Sequence, residues 1–285
     1  MRAGWNGAPA PVFQSLRIID RLRMIARGLA AIVLTASFFV GFLLLRVIDR
    51  LVSKVRGART PGLAPSAVTG WAGTALALLG LKVRVSGAPL SGPGALVANH
   101  SSWIDIVVLQ RTSRAFFVSK AEVAGWPVIG AIGKAIGTEF IERRPIDAKR
   151  QNEALKARLL RGDRLCLFPE ATSTDGRRVL DFNSSLFAVF MEPDLYGDFR
   201  TQPVSLRYRP KAGLPETLYA WWGEMEFGAH LGHVLAVSTG GTVDVVFHDP
   251  LRPEDFADRK ALASQARSVI LEGFQNLERV GSEPR

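Results

Sequence analysis

Cysteine is almost absent from this sequence, and its scarcity excludes several kinds of site. The 285 residues include one cysteine, Cys166, so neither an intramolecular disulfide nor a cysteine-rich metal site can form. Cys166 lies in the apolar run 165–168, where a buried and unreactive thiol is expected. A chain without disulfides suits a reducing compartment, so we predict that its working part faces the cytoplasm.

Histidine is scarce as well, and several well-known catalytic loops are missing. Of the four histidines, only His230 and His233 are close in sequence, and no third ligand is spaced beside them. The sequence has no Walker-type or G-x-G-x-x-G loop for nucleotides, and no G-x-S-x-G elbow for a serine nucleophile. We therefore predict no metal site and no cofactor.

Acidic residues are outnumbered by basic ones, 26 to 36, and the formal net charge is +10. A charge of this size predicts an acidic partner, which is nucleic acid, an anionic bilayer or an acidic protein. The arginines crowd around apolar segments instead of forming a separate basic tail. We therefore predict an anionic membrane as a partner, and no nucleic acid.

Two uncharged stretches precede residue 82. The first, 28–45, has 18 residues, the lower limit for crossing a bilayer, and the second, 61–81, is diluted by glycine and proline. We reject a signal peptide because no small-residue cleavage site follows the first stretch.

The arginines that flank the first stretch bear on how it meets the bilayer. Basic clusters lie on both of its sides, and a spanning hairpin would put one of them on the outer face, against the positive-inside rule. A helix pair embedded from one side keeps both clusters at anionic head groups, and we favour it over a true span. Residues 1–81 are thus a predicted membrane-anchoring region at the inner (cytoplasmic) membrane.

From residue 82 onward, short apolar segments alternate with amphipathic ones. Such alternation is typical of an α/β sheet flanked by helices, and we assign residues 82–285 to one catalytic domain. Strands are predicted at 83–85, 95–98, 115–119, 139–142, 165–168, 204–208 and 243–247. Helices are predicted from the segment after residue 101 to about 110, and at 147–160 and 257–277.

The segment ALVANHSSWID, residues 95–105, carries the first chemical signal. Its apolar start predicts a buried strand, which ends at Asn99 and His100, and Asp105 follows five residues later. Residues so spaced do not share a helix face, so they meet only if His100 lies in a loop and a helix starts near Ser101. A histidine oriented by a carboxylate is the usual base for deprotonating a hydroxyl. Alone, the pair more often indicates a solvated loop histidine beside an unrelated acid.

Other predicted strands also end in polar groups. The strand at 139–142 runs into Arg143 and Arg144, whose guanidinium groups suit a phosphate or a carboxylate, or form a solvated strand end. The strand at 165–168 ends in the loop FPEATSTDG, where the Glu170 carboxylate lies beside three hydroxyl groups. These belong to Thr172, Ser173 and Thr174. The loop can hold a polyol or phosphate head group, or be an ordinary turn with a helix cap.

In this order, the motifs resemble the glycerolipid acyltransferase family, whose best-known members are the lysophosphatidic acid (1-acylglycerol-3-phosphate) acyltransferases. NHSSWID resembles the N-H-x-x-x-x-D block, GTEFIER the G-x-x-F-I-x-R block, FPEATS the F-P-E-G-T-x-S block, and QPVS a weaker proline block. The resemblance runs from about residue 82 to 247 and implies a mixed central sheet of the glycerol-3-phosphate acyltransferase-like fold. Ala171 stands where the family usually has glycine, which would strain the loop at a positive φ.

The resemblance implies roles for individual residues. His100 takes the proton of a lysolipid hydroxyl as that oxygen attacks an acyl thioester, Asp105 orients His100, and no acyl-enzyme forms. The residues implied in acceptor binding are Arg143, Glu170, Thr172, Ser173 and Lys120.

Several alternatives stay open. The leading acceptor is 1-acylglycerol-3-phosphate, which gives phosphatidic acid, and lyso-ornithine lipid is the rival because arginine also accepts its carboxylate. The donor is acyl carrier protein or acyl-coenzyme A. A His–Asp lipid or thioester hydrolase and a non-catalytic lipid-binding protein are alternatives of other classes. The tryptophan-containing segment 218–237 lines an acyl-chain groove, lies at the level of the lipid head groups, or forms a core helix.

Overall fold

The computed structural model describes residues 7, 9–11, 13, 15–56, 62–126, 129–141 and 148–282. The helices are α1 (Ile18–Arg56), α2 (Ala64–Leu78), α3 (Ile104–Thr112), α4 (Ile129–Ile136), α5 (Ala148–Leu160), α6 (Phe227–Val237) and α7 (Arg259–Ser282). The strands are β1 (Leu81–Ser86), β2 (Gly94–Ala98), β3 (Phe116–Lys120), β4 (Glu139–Ile141), β5 (Arg164–Leu167), β6 (Arg200–Pro210) and β7 (Gly241–Phe247).

These seven strands form one mixed sheet in the order β1-β7-β6-β2-β5-β3-β4. β6 and β7 pair antiparallel, and the other neighbouring strands pair parallel. The predicted fold class and all seven predicted strands are confirmed, although β6 is longer than expected and Glu142 lies outside the described residues. β2 is central, and its carboxyl end opens on the same edge as those of β3, β4, β5 and β6.

Alternating side chains of β2 divide the core into two layers. Leu96 and Ala98 face a cluster that includes residues of α2, α3 and α6. Ala95 and Val97 face a second cluster, which includes residues of α5, α7 and the short 3-10 helix Ser184–Met191. The predicted inert thiol, Cys166, is fully buried in the first layer, and burial raises its pKa.

Helix α1 is much longer than the predicted apolar stretch. It has 39 residues, a length of roughly 58 Å at 1.5 Å per residue. It is long and apolar enough to cross a membrane, and only 6% of its most apolar 18-residue window is buried. The core helix of a soluble protein would be mostly buried, so this surface is available to lipid.

Three of the arginines expected at lipid head groups instead bind the ends of other helices. Arg23 donates to the carbonyl of Ala236 at 2.7 Å, and Arg27 donates to those of Leu235 and Ser238 at 3.2 and 2.6 Å, all at the carboxyl end of α6. Arg46 donates to the carbonyl of Ala135, near the end of α4, at 2.7 Å. The physical reason is that the last carbonyls of a helix lack intrahelical donors and carry partial negative charge.

The second apolar stretch forms α2 and enters the catalytic core. Ala72 and Leu76 of α2 are buried in the same cluster as Leu96 and Ile104. Trp71 of α2 stacks on Phe38 of α1, with ring centroids 5.3 Å apart. The predicted domain boundary at residue 81 stays a prediction, and α2 joins α1 to α3 across it.

The arginine caps can be tested by stability. We expect Arg27→Met to lower the free energy of unfolding by about 1–3 kcal/mol, because two helix-end carbonyls lose a charged donor. Thermal or denaturant unfolding in one detergent measures the change. Arg21→Met, at an exposed position of the same helix, is the control and should have little effect. Equal losses from both variants would contradict a capping role for Arg27.

Candidate active site

The carboxyl end of β2 is held in place by an asparagine. The Nδ2 atom of Asn99 donates to the carbonyl of Leu206 at 3.0 Å, and the backbone N–H of Leu206 donates to Oδ1 of Asn99 at 2.8 Å. A buried side chain thus satisfies backbone groups of β6. The main chain turns away after Asn99, which leaves His100 at the sheet edge where α/β proteins bind ligands.

His100 and Asp105 meet, as their spacing predicts. Nδ1 of His100 lies 2.8 Å from Oδ2 of Asp105. His100 is in the loop after β2, and Asp105 is in the first turn of α3. The helix begins at Ile104, slightly later than expected, because Asp105 accepts hydrogen bonds from the two backbone N–H groups of Ser101 and Ser102.

The carboxylate of Asp105 is completely buried and fully hydrogen-bonded. Oδ2 accepts from the N–H groups of Ser101 and Ser102 at 2.8 and 2.9 Å, as well as facing His100. Oδ1 accepts from the hydroxyl of Tyr208 at 2.6 Å. All of these partners donate to the carboxylate, which faces Nδ1 of His100 with an acceptor oxygen. It therefore selects the histidine tautomer that carries its proton on Nδ1, as inferred from this network.

The remaining ring nitrogen of His100 is free for chemistry. Within the part of the chain that the structure describes, Nε2 has no hydrogen-bond partner, and the side chain is 17% exposed. The ring stacks on Phe168, with centroids 4.1 Å apart and planes 16° apart. A histidine fixed in orientation, with an accessible lone pair on Nε2, is suited to act as a general base.

The sequence predicts that Glu170 binds the acceptor. In the structure, both of its carboxylate oxygens accept hydrogen bonds from backbone N–H groups. Oε1 accepts from the N–H of His100 at 2.7 Å, and Oε2 accepts from the N–H of Leu180 at 2.8 Å. Burial raises its pKa to about 8, although the two N–H donors oppose the shift. Glu170 therefore fastens the catalytic loop, and its role in acceptor binding stays a prediction.

The hydroxyl-rich loop after Glu170 also contacts the catalytic loop. The N–H of Thr174 donates to the carbonyl of His100 at 2.9 Å, and the hydroxyl of Ser173 donates to the carbonyl of Trp221. The N–H of Trp221 in turn donates to the carbonyl of Ser101 at 2.8 Å. Thr172 and Ser173 are buried in this loop, and their predicted contacts with the substrate stay predictions.

Of the basic residues predicted to bind the acceptor, only one is described. Lys120 ends β3, two strands from β2 and therefore roughly 10 Å to the side. Arg143 lies outside the described residues, as does Arg144.

The paired histidines of the sequence belong to different environments. His230 is buried, accepts from the indole Nε1 of Trp103 at 2.9 Å, and donates to the carbonyl of Leu218 at 3.3 Å. Burial lowers its pKa to about 4, so it is neutral. His233 stacks on Phe13. No group of three potential metal ligands is present among the described residues.

The segment 218–237 has a buried side, as a core helix would. Tyr219, Trp222 and the inner face of α6 are buried, whereas Gly228 and Ala229 are exposed. The alternative role in an acyl-chain groove stays a prediction.

Tyr208 is the residue that the sequence analysis missed. The strand that carries it was predicted, and the nearby QPVS block was the weakest of the four motifs. Burial raises the pKa of Tyr208 well above its usual value, and the charge of Asp105 adds to this effect, so its hydroxyl stays a donor. Alternation along β6 does not distinguish an active-site tyrosine from a core one, so no local signal was available.

Comparison with known proteins agrees with this geometry. The family model described as acyltransferase matches residues 82–207. A lyso-ornithine lipid O-acyltransferase of Rhodobacter capsulatus is 40% identical over 271 residues, which cover 95% of this chain and 96% of that protein. A 1-acyl-sn-glycerol-3-phosphate acyltransferase of Neisseria gonorrhoeae is 35% identical over 142 residues, 49% of this chain and 54% of that protein.

A solved structure shows the same fold. It is the crystal structure of the 1-acyl-sn-glycerophosphate acyltransferase PlsC from Thermotoga maritima, with a TM-score of 0.59 and 19% identity. The match covers 91% of this chain and 99% of that chain. At this identity the likeness extends to the fold alone.

A mixed α/β sheet whose central strand ends in a histidine–carboxylate pair, beside a long apolar and exposed helix, defines a membrane-associated acyl-transfer enzyme. The chain belongs to the acyltransferase family. It is an O-acyltransferase that acts on lysolipids.

The loop that carries Glu170 contains a strained residue. Ala171 has a φ of +63°, in the left-handed region that favours glycine. We expect Ala171→Gly to raise the free energy of unfolding by up to about 1 kcal/mol, because the Cβ penalty disappears. Ala157→Gly, at an exposed position inside α5, is the matched control and should lower it by about as much. A loss of stability in both variants would contradict strain at Ala171.

The raised pKa of Glu170 predicts how stability changes with pH. The group titrates at about 8 in the folded chain, against 4.5 ordinarily, so the folded state holds this proton more tightly. Its contribution to stability is complete below pH 4.5 and falls as the pH rises to about 8. We expect the thermal midpoint of the wild type to fall more between pH 5 and 8 than that of Glu170→Gln. Parallel curves in thermal unfolding would contradict this assignment.

Proposed function

We propose that the protein transfers a fatty acyl group from an acyl thioester to the free hydroxyl of lyso-ornithine lipid. The observation that carries this choice is the alignment with the Rhodobacter capsulatus enzyme, which extends through almost the whole of both chains. The 1-acyl-sn-glycerol-3-phosphate acyltransferase of Neisseria gonorrhoeae aligns over only about half of each chain. We therefore prefer lyso-ornithine lipid as the acceptor, although the motifs alone place it after 1-acylglycerol-3-phosphate.

The geometry supports a direct transfer. Nε2 of His100 takes the proton from the acceptor hydroxyl while that oxygen attacks the thioester carbonyl. Asp105 stabilises the imidazolium that forms. The carbon–sulfur bond then breaks, the thiolate takes the proton from Nε2, and the ester remains. General-base help contributes roughly two to four powers of ten in rate, so positioning of both lipids supplies much of the rest.

A second candidate acceptor is 1-acylglycerol-3-phosphate. Lys120 at the end of β3 and the predicted Arg143 favour a phosphate head group. The partial alignment with the Neisseria gonorrhoeae enzyme supports the same acceptor. The donor in either case is acyl carrier protein or acyl-coenzyme A, both of which are anionic and suit a chain of net charge +10.

We also propose that α1 lies along one bilayer surface, with the active site facing the cytoplasm. Arg23 and Arg46 bind α6 and α4, and these two arginines are 23 positions apart on α1, a rise of roughly 35 Å. A hydrocarbon core is about 30 Å thick, so a spanning α1 would draw catalytic-domain helices to both of its surfaces. An in-plane helix keeps those contacts and still presents its apolar face to lipid.

One assay tests the acceptor and the catalytic base together. Purified protein is given a labelled acyl thioester with lyso-ornithine lipid, with 1-acylglycerol-3-phosphate, or with no acceptor. We expect the ornithine product, and a loss of at least about a hundredfold in His100→Ala. His248→Ala, whose imidazole contacts Ser205 on the α7 side of the sheet, is the control and should stay within a few-fold.

Three results would contradict the proposal. Acylation of 1-acylglycerol-3-phosphate alone would favour the second candidate. Thioester hydrolysis that added lysolipid leaves unchanged would indicate a hydrolase. Unchanged activity in a folded His100→Ala protein would exclude His100 as the base.

A further inference from the structure

A cavity lies beside the outer strand β4, away from His100. Its volume is about 280 Å³, and it is lined by Ala121, Glu139, Phe140, Arg150, Gln151 and Ala154. Ala121 directly follows Lys120, and Lys120 is in register with Ile141 at the end of β4. The cavity therefore borders the strand ends where the sequence predicts acceptor binding.

The cavity contains charges of both signs. Glu139 begins β4, and Arg150 is in the first turn of α5 on the facing wall. A head group with two negative charges would meet a carboxylate here, whereas a zwitterion finds one partner for each of its charges.

The carboxylate of Glu139 is only weakly engaged by the protein. Its nearest described cation is Nη1 of Arg158, 3.4 Å from Oε2, which is longer than a strong charged hydrogen bond. Arg158 is held mainly elsewhere, by the carbonyl of Gly137 at 2.6 Å and by Asp163 at 3.0 Å. The Glu139 side chain is 32% exposed, and no described donor contacts its Oε1. It is therefore available to an ammonium group.

We propose that this cavity binds the ornithine head group, with Glu139 accepting the side-chain ammonium and Arg150 pairing with the carboxylate. The inference rests on the proposed function and adds the residue that selects the acceptor. Glu139 favours a cationic amine and repels a phosphate, so it separates the two candidate acceptors.

The distance from the catalytic base is compatible with one lipid. β2 and β4 are separated by three strand spacings, roughly 14 Å. The lysolipid links its reacting hydroxyl to the ammonium through a short acyl segment, an amide and the ornithine side chain.

The test measures coupling between Glu139 and the ammonium. Wild type and Glu139→Gln are each assayed with lyso-ornithine lipid and with the same lipid acetylated on its side-chain amine. We expect acetylation to lower kcat/KM of the wild type about tenfold, mainly through KM, and that of Glu139→Gln less than twofold. A merely structural role for Glu139 would lower activity with both lipids equally.

Glu153→Gln is the matched control, because Glu153 is an exposed glutamate of α5 that does not line the cavity. Acetylation of the lipid should lower kcat/KM of Glu153→Gln by the same factor as that of the wild type. If acetylation lowers kcat/KM equally in the wild type and in Glu139→Gln, the inference is overturned and the proposed function stays intact. Failure of the wild type to acylate lyso-ornithine lipid overturns both.

A second variant keeps the inference testable if Glu139→Gln does not fold. Arg150→Gln is assayed with lyso-ornithine lipid and with the same lipid whose carboxylate is converted to a carboxamide. We expect the carboxamide to be a several-fold poorer acceptor for the wild type and an equal one for Arg150→Gln. The same preference in both proteins would overturn the inference.

Discussion

The burial of one carboxylate organises the active site. Asp105 has no solvent exposure, and a buried charge without partners would cost several kcal/mol. Four donors compensate it: the backbone of Ser101 and Ser102, the ring of His100 and the hydroxyl of Tyr208. The loop after β2, the start of α3 and strand β6 must therefore be in place together. The contacts that compensate the buried charge also orient the imidazole ring of His100.

A second set of contacts holds the catalytic loop from the other side. Glu170 ties the backbone of His100 to that of Leu180, and Phe168 supports the imidazole ring. Both come from the end of β5, which pairs with β2 in parallel. Because parallel neighbours end at the same edge, residues far apart in sequence meet around one histidine. The NHSSWID and FPEATS blocks are thus one structural unit, in which Glu170 and Phe168 hold the loop and ring of His100.

Arginines of the N-terminal helix α1 attach this apolar helix to the catalytic domain. Arg23, Arg27 and Arg46 occupy helix ends inside the protein, while the opposite face of α1 is apolar and exposed. Helix-end carbonyls and anionic head groups both attract guanidinium groups, so composition does not distinguish these two environments. Helix α1 is thus fixed to the catalytic domain at two distant points, the ends of α6 and α4.

Local patterns were enough to predict the strands, the fold class and the meeting of His100 with Asp105, because alternation and a five-residue spacing act over short segments. The resemblance of three motifs pointed correctly to a lysolipid acyltransferase. Tyr208, the backbone partners of Glu170 and the inward arginines were not foreseen. Tyr208 and Asp105 are 103 residues apart, and Arg27 and Ser238 are 211 apart. Such pairs form only when the sheet order and the helix packing bring distant segments together. A periodic pattern in a short segment contains no information about that packing.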